Sequence, residues 1–243
     1  MSSTSHALRL IALASLVMAC AENRRPQAGA PPALGDAPLE TSVRYLALGD
    51  SFTIGTGSPP QHAFPTRLAD RWRTLGCALE VQNVAVNGYT SDDVIAEELP
   101  ALSVFHPTFV TVAVGANDIA QGHAIEAYRV NVRRILDATS ATGARVVVIP
   151  QPDWSRSKVA GSFGTPEVLA ASIARFNAVL AEEARARGAA WIDLAPLMQR
   201  QAASGLLASD GLHPSAEAYD AWAAELARLL PLPCASVRGA RGQ

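Results

Sequence analysis

Ser51, Asp210 and His213 are the residues whose types and spacing are best suited to chemistry. A serine hydroxyl is a weak nucleophile until a base removes its proton, and histidine is a natural base because it titrates near neutral pH. Asp210 lies three residues before His213, with Gly211 between them, so a short turn would fold the carboxylate onto the imidazole and hold one tautomer. These residue types predict acyl transfer through a covalent intermediate on Ser51.

Acyl transfer also needs hydrogen-bond donors for the negatively charged oxygen of its intermediate. The backbone N–H groups of Ser51 and Gly88 and the side-chain amide of Asn117 are the candidate donors. Gly88 suits this task because a residue without Cβ lets a substrate oxygen approach the backbone closely. Each donor can contribute about 3 kcal/mol, so we expect these three residues to form an oxyanion hole.

Buried apolar runs alternate along the chain with segments of helical periodicity. This alternation predicts a parallel sheet covered by helices on both faces, and five strands favour a flavodoxin-like three-layer α/β/α sandwich. The predicted strands are Val43–Leu48, Leu79–Val84, Thr108–Val114, Arg145–Ile149 and Ala190–Leu194. The predicted helices are Phe64–Leu75, one capped by Ser91 and running to Leu99, Ala124–Ala141, Glu167–Arg187 with Thr165 as its cap, and one from Pro214 that ends before Pro231.

The candidate residues follow strands of this predicted sheet. In open α/β sheets the ligand site lies beyond the carboxyl ends of the strands, so these segments should open onto one edge. The segments are Gly49-Asp50-Ser51 after the first strand, Asn87-Gly88 after the second, Gly115-Ala116-Asn117-Asp118 after the third, and Asp210-Gly211-Leu212-His213 after the fifth.

These four segments resemble the four sequence blocks of the SGNH, or GDSL-type, hydrolases, and the resemblance covers about residues 43–230. It implies that Ser51 is the nucleophile, His213 the base and Asp210 the residue that orients the base. It also implies an oxyanion hole of Ser51, Gly88 and Asn117. Phe52 stands where the family motif has Leu. The stretch 83–91 especially resembles the small periplasmic thioesterase/lysophospholipase branch.

The first twenty residues differ in composition from the rest of the chain. Leu10 to Ala19 is an unbroken run of apolar and small residues, shorter than the roughly 20 residues that a bilayer requires, and is typical of a signal peptide. Val17-Met18-Ala19-Cys20 resembles a bacterial lipobox, which implies cleavage before Cys20 and lipidation of that residue. An ordinary secretory signal cut nearby is the alternative.

These features predict four segments. Residues 1–20 are a signal peptide with a lipobox, 21–41 a flexible tether rich in Pro, Ala and Gly, 42–235 a hydrolase domain, and 236–243 a disordered tail. We expect an exported protein of the bacterial cell envelope, held on a membrane by its N-terminal lipid and facing the periplasm or the exterior.

Two further cysteines, Cys77 and Cys234, follow the ends of the first and the last predicted long helices. In a flavodoxin-like order these helices are neighbours on one face of the sheet. In an oxidising compartment we therefore expect a disulfide between Cys77 and Cys234, with two unpaired thiols as the alternative.

The pattern favours hydrolysis of a carboxylic ester without a metal or a cofactor. Acetyl groups on sugars, lysophospholipids or other lipid esters, and thioesters all remain open as substrates. A net charge of -2 gives no general attraction to nucleic acid. One alternative is a non-catalytic envelope lipoprotein that binds glycan or lipid in the same cleft. Another is a metal-dependent phosphohydrolase using Asp50, Asp118 and His213, which would need more ligands than these loops offer.

Overall fold

Five parallel strands form one sheet in the computed structural model, which describes residues 42–234. The strands lie in the order β2-β1-β3-β4-β5, with helices on both faces of the sheet. This confirms the predicted flavodoxin-like α/β/α sandwich. The strands are β1 (Val43–Gly49), β2 (Leu79–Asn83), β3 (Phe109–Ala113), β4 (Arg145–Val148) and β5 (Ala190–Trp191).

Nine α-helices lie in the described part of the chain. The long ones are α2 (Phe64–Thr74), α6 (Ile125–Ala141), α7 (Pro166–Ala186) and α9 (Ala216–Leu229), and all four were predicted within a few residues. The short ones are α1 (Ser51–Ile54), α3 (Ser91–Asp93), α4 (Ala101–Phe105), α5 (Ala116–Ala120) and α8 (Ala195–Ala203). Of these, α1, α4, α5 and α8 were not predicted.

β1 shows why the inner strands of the sheet are mostly apolar in sequence. Side chains alternate between the two faces of a strand, and both faces of this sheet are covered. Tyr45 and Ala47 face one core, which holds Trp72 of α2 and Trp222 of α9 among its members. The neighbouring residues Leu46 and Leu48 belong to the opposite core, with side chains of α6 and α7. The two layers therefore bury every residue of β1 except Arg44, which is partly exposed.

Cys77, just after α2, and Cys234, just after α9, form a disulfide in the structure. Their Cα atoms are 5.6 Å apart, within the range that a disulfide requires. The bond joins the ends of two neighbouring helices, as the flavodoxin-like order led us to expect.

Two predicted boundaries in the second half of the chain are wrong. β5 ends at Trp191 and not at Leu194, because only the N–H of Ile192 continues the ladder, donating to the Val148 carbonyl over 3.0 Å. The Asp193 carboxylate then accepts the N–H of Ala195 over 3.0 Å at the start of α8. The last helix begins at Ala216, two residues after the predicted Pro214.

The predicted helix from Ser91 to Leu99 also differs from the structure. Thr90 caps it in place of Ser91: its side chain accepts the N–H of Asp93, and the Asp93 carboxylate accepts the N–H of Thr90. Only Ser91–Asp93 is α-helical, and Val94–Glu98 forms a π-helical turn. A π turn contains one more residue than an α turn, so the side chains that follow it point elsewhere than the predicted α-periodicity implies.

The predicted signal peptide, lipidation at Cys20, tether and C-terminal tail lie outside the described residues. Among the helices of residues 42–234, none combines the length and apolar character needed to cross a bilayer.

Candidate active site

Ser51 is the first residue of α1, directly after β1. Asp50 caps this short helix, because its Oδ1 accepts the N–H of Phe52 over 3.0 Å. Gly49 leaves no room for a side chain, because a Cβ there would clash with the carbonyl oxygen of Ala113. Packing and capping therefore together determine where the chain turns and where the Ser51 side chain begins.

Asp210 and His213 form the pair that the sequence predicts. Asp210 Oδ2 lies 2.8 Å from His213 Nδ1, while Asp210 Oδ1 accepts the N–H groups of Leu212 and His213 over 2.8 and 3.0 Å. Gly211 has a φ of 67°, which lets the chain turn back within three residues. With Nδ1 held by the carboxylate, Nε2 is the ring nitrogen left to act as a base.

These contacts also change the acidity of Asp210. Its partial burial favours the neutral acid, but the hydrogen bonds from the His213 ring and from two backbone N–H groups outweigh this effect. The pKa of Asp210 is lowered as a result, so the carboxylate remains ionised and can stabilise a protonated His213.

α1 and the residues that follow it contact the loop of His213 and α9, and these contacts bring the segment of Ser51 close to the segment of His213. The ring centroids of Phe52 and His213 are 5.2 Å apart, and the Tyr219 hydroxyl donates to the Thr56 carbonyl over 3.1 Å. A Cβ on Gly57 would lie 2.9 Å from His213 Cβ, so the backbone after α1 packs directly against the histidine. The structure thus places the serine and histidine segments side by side.

The two other predicted segments are linked to each other. Asn117 Nδ2 donates to the Tyr89 carbonyl over 2.9 Å, which leaves one amide proton for a further acceptor. Gly88, next to Tyr89, has a φ of 88°, and a Cβ there would meet no atom within 4 Å. The positive φ at this position explains why it is a glycine, and the space around Gly88 is open.

Asp118 does not face solvent and instead joins two loops. It is fully buried, and its carboxylate accepts both the N–H and the hydroxyl of Ser91. His123 Nδ1 lies 3.2 Å from Asp118 Oδ1, the oxygen that also accepts the Ser91 hydroxyl, and Asn131 donates to that hydroxyl over 3.0 Å. Within residues 42–234 no three His, Cys, Asp or Glu side chains are arranged to hold a metal ion.

Two further carboxyl groups are buried beside the serine turn. Burial raises the pKa of Asp50 to about 7, against the hydrogen bond from Phe52 and with added repulsion from Asp118. Burial likewise raises the pKa of Glu98 to about 8, although Glu98 accepts the Gly49 N–H over 2.8 Å. Glu98 is absent from the predicted site residues.

A cavity of about 330 Å³ lies beside the serine and histidine segments, and its mainly apolar walls also include Asp153, Arg156 and Gln201. Phe52 lines one wall, and Leu212 and Pro214, on either side of His213, line another. The interior contains Trp154, Met198 and Trp222, each at most 5% exposed. The cavity therefore offers an apolar space directly beside the residues that follow Ser51 and flank His213.

A sequence model of the GDSL-like Lipase/Acylhydrolase family matches residues 47–242, from the last part of β1 to beyond α9. The chain belongs to this family. The match includes all four segments that converge on the site, and it agrees with the resemblance that the motifs indicated.

The individual relatives share about a third or less of their aligned residues with this chain. An arylesterase of Vibrio mimicus is 27% identical over 110 residues, which is 45% of this chain and 55% of the relative. Thioesterase 1/protease 1/lysophospholipase L1 of Escherichia coli (strain K12) is 32% identical over 105 residues, 43% of this chain and 49% of the relative. The chain thus spans about half the length of these curated relatives. The crystal structure of TesA shares the fold, with a TM-score of 0.63, 23% identity, and coverage of 75% of this chain and 95% of TesA.

We predict that Asp50→Asn makes stability less dependent on pH. The unfolded chain releases this proton near pH 4, whereas the folded protein keeps it up to about pH 7, so the free energy of unfolding falls as the pH rises between these values. Asparagine is neutral throughout and keeps an oxygen for the Phe52 N–H.

Urea unfolding at about pH 5 and about pH 8 measures this difference. The wild type should lose more stability than Asp50→Asn over this interval. An equal or larger loss in the variant would show that Asp50 is already ionised in the folded protein at low pH.

Proposed function

We propose that this protein is a serine hydrolase that cleaves carboxylic esters through an acyl-enzyme on Ser51. The observation that carries the proposal is the hydrogen-bonded Asp210–His213 pair packed against the segment that begins with Ser51. Membership of an acylhydrolase family supports the same chemistry. Ser51, Gly88 and Asn117 are the proposed oxyanion donors.

The proposed reaction has two steps, formation of the acyl-enzyme and its hydrolysis. In the first, His213 Nε2 takes the proton of Ser51 Oγ, Oγ bonds to the ester carbonyl carbon, and His213 returns the proton to the leaving alkoxide as the C–O bond breaks. In the second, His213 removes a proton from water, the water oxygen bonds to the acyl carbon, and Ser51 Oγ leaves with that proton. Asp210 stabilises the imidazolium that forms in both steps.

The cavity beside Phe52 supports a proposal about the acyl group. Ligand pockets range from about 300 to 1,000 Å³, so 330 Å³ would suit a chain of several carbons better than a large glycan. Its apolar walls give a hydrocarbon chain a favourable free energy of transfer from water. We therefore propose a short- or medium-chain acyl ester as the substrate, in preference to an acetylated sugar.

We expect Ser51→Ala to lower kcat for p-nitrophenyl butyrate by about 10³-fold or more, because no acyl-enzyme can form. Release of p-nitrophenol by the purified chain measures this rate. Ser103→Ala, at an exposed position of α4, is the matched control and should retain the wild-type rate. Equal hydrolysis by wild type and Ser51→Ala would overturn the proposal and leave a binding protein as the better interpretation.

Chain-length preference tests the cavity separately. Leu206 lines it, and Leu206→Trp should fill part of its volume. The variant should lower kcat/KM for p-nitrophenyl octanoate by about 10-fold or more while changing the acetate ester little, since each buried CH2 contributes about 0.8 kcal/mol. Leu229→Trp, at an exposed position near the end of α9, is the control. A uniform fall across all chain lengths would show that the acyl chain lies elsewhere.

We further propose that Cys20 carries lipid and holds the enzyme on a membrane of the cell envelope. In a bacterial host that is fed a radiolabelled fatty acid, the full chain should incorporate label and fractionate with membranes. Cys20→Ser should be unlabelled and found in the soluble envelope fraction. Label retained by Cys20→Ser would contradict the lipobox interpretation.

A further inference from the structure

The N–H of Gly49 lies beyond the end of the neighbouring strand. β2 ends at Asn83, and the last bond on that side of β1 runs from the Val84 N–H to the Ala47 carbonyl over 3.1 Å. Backbone groups two residues apart in a strand point to the same side, so Gly49 faces the same direction as Ala47. No strand is left there to accept its N–H, and Glu98 Oε2 accepts it instead over 2.8 Å.

The π-helical turn delivers Glu98 to this point. The Leu99 N–H donates to the Val94 carbonyl, five residues back, over 3.0 Å. Such turns are rare and often lie at functional sites. Val94 is fully buried and Glu98 is 1% exposed, so the turn directs a carboxyl group into the interior between itself and β1.

This carboxyl group is costly for the fold. Glu98 Oε1 is buried and has no hydrogen-bond partner among the described residues, and Glu98 belongs to none of the ion pairs found in that part of the chain. The charged groups that face it, Asp50 across the turn and Asp93 on its own helical segment, are both acidic. Burial of an unpaired carboxyl group lowers stability, so stability alone does not account for Glu98.

We propose that Glu98 is a positioning residue for the nucleophile. By accepting the N–H of Gly49, it takes the place of the missing strand and determines the direction in which the chain leaves β1. Asp50 and Ser51 follow directly, so this bond controls where Ser51 Oγ lies relative to His213. The inference rests on the proposed function of Ser51.

Substitution of Glu98 by residues with and without an acceptor tests the proposal. Glu98→Gln keeps an oxygen acceptor and should keep kcat within about threefold, whereas Glu98→Leu fills similar space without one. Glu98→Leu should lower kcat by about 10- to 100-fold with KM little changed, because a displacement of about 1 Å at the nucleophile can cost that much. Glu97→Leu, the exposed neighbour, should behave like wild type.

Two measurements separate positioning from folding. Titration with a serine-directed phosphonate counts competent sites, so that kcat is expressed per titrated site, and thermal unfolding reports stability. We expect Glu98→Leu to match or exceed the wild-type melting temperature at about pH 8, where the buried carboxyl group is most costly, and still to turn over slowly.

An unchanged kcat per site in Glu98→Leu, or a kcat for Glu98→Gln as low as that of Glu98→Leu, would overturn the proposal. If Glu98→Leu does not fold, the comparison of Glu98→Gln with Glu98→Asp tests the proposal instead. Aspartate is one methylene too short to reach the Gly49 N–H, so Glu98→Asp should have the lower kcat per site. Failure of the proposed function would be distinguishable from failure of the Glu98 proposal, because wild type and Ser51→Ala would then hydrolyse the ester equally slowly.

Discussion

β1 is buried on both faces and ends at Gly49, where the chain must turn into α1 in a space that admits no side chain. Everything at the site depends on that turn. The core side chains of β1 hold the strand in the middle of the sheet, and Asp50 begins a helix immediately after it. The backbone that carries Ser51 is therefore held by the buried strand before it and by the Asp50 cap of α1.

The loops at the carboxyl edge lack strand partners, and side chains supply their hydrogen bonds instead. Asn83 donates to the Thr53 carbonyl over 2.9 Å and links the end of β2 to α1. Asn117 links the loop after β3 to the loop after β2, and Tyr219 links α9 to the segment after α1. Asp118 adds a second link to the loop after β2 through Ser91. These bonds turn four separate loops into one assembly, as a preorganised site requires.

Much of the fold and of the candidate site could be predicted from the sequence, because the clearest sequence patterns have a simple physical origin. Strands buried on both faces produce apolar runs, which located β1, β3 and β4 within a few residues, whereas the edge strand β2 alternates apolar and polar residues. The short spacing of Asp210 and His213 indicated their hydrogen bond, because a three-residue turn has few ways to close. The strand-end rule brought the four segments to one edge before any distance was known.

The features that were not predicted depend on tertiary contacts, which the local sequence pattern indicates only weakly. β5 is two residues long because the chain leaves the sheet edge to begin α8. Asp193 and Pro196 are residue types typical of a helix start, but the apolar residues around Asp193 led the predicted strand past it. The π turn was predicted as ordinary α-helix because no residue type in the segment 91–99 marks the place where the extra residue is inserted. Glu98 did leave a signal: it lies four residues from both Val94 and Leu102, which are buried, so a carboxyl group occupies a core-facing position.

Covalent labelling tests whether Ser51 is the nucleophile. The full chain would be treated with a serine-directed phosphonate, digested with trypsin, and analysed by mass spectrometry with fragmentation. Trypsin releases Ser51 in the peptide 45–67, which also contains Ser58. We predict one phosphonyl group per chain, attached to Ser51 and absent when His213 is replaced by Ala. A chain that stays unlabelled, or a label on Ser58 or elsewhere, would contradict the assignment of Ser51 as the nucleophile.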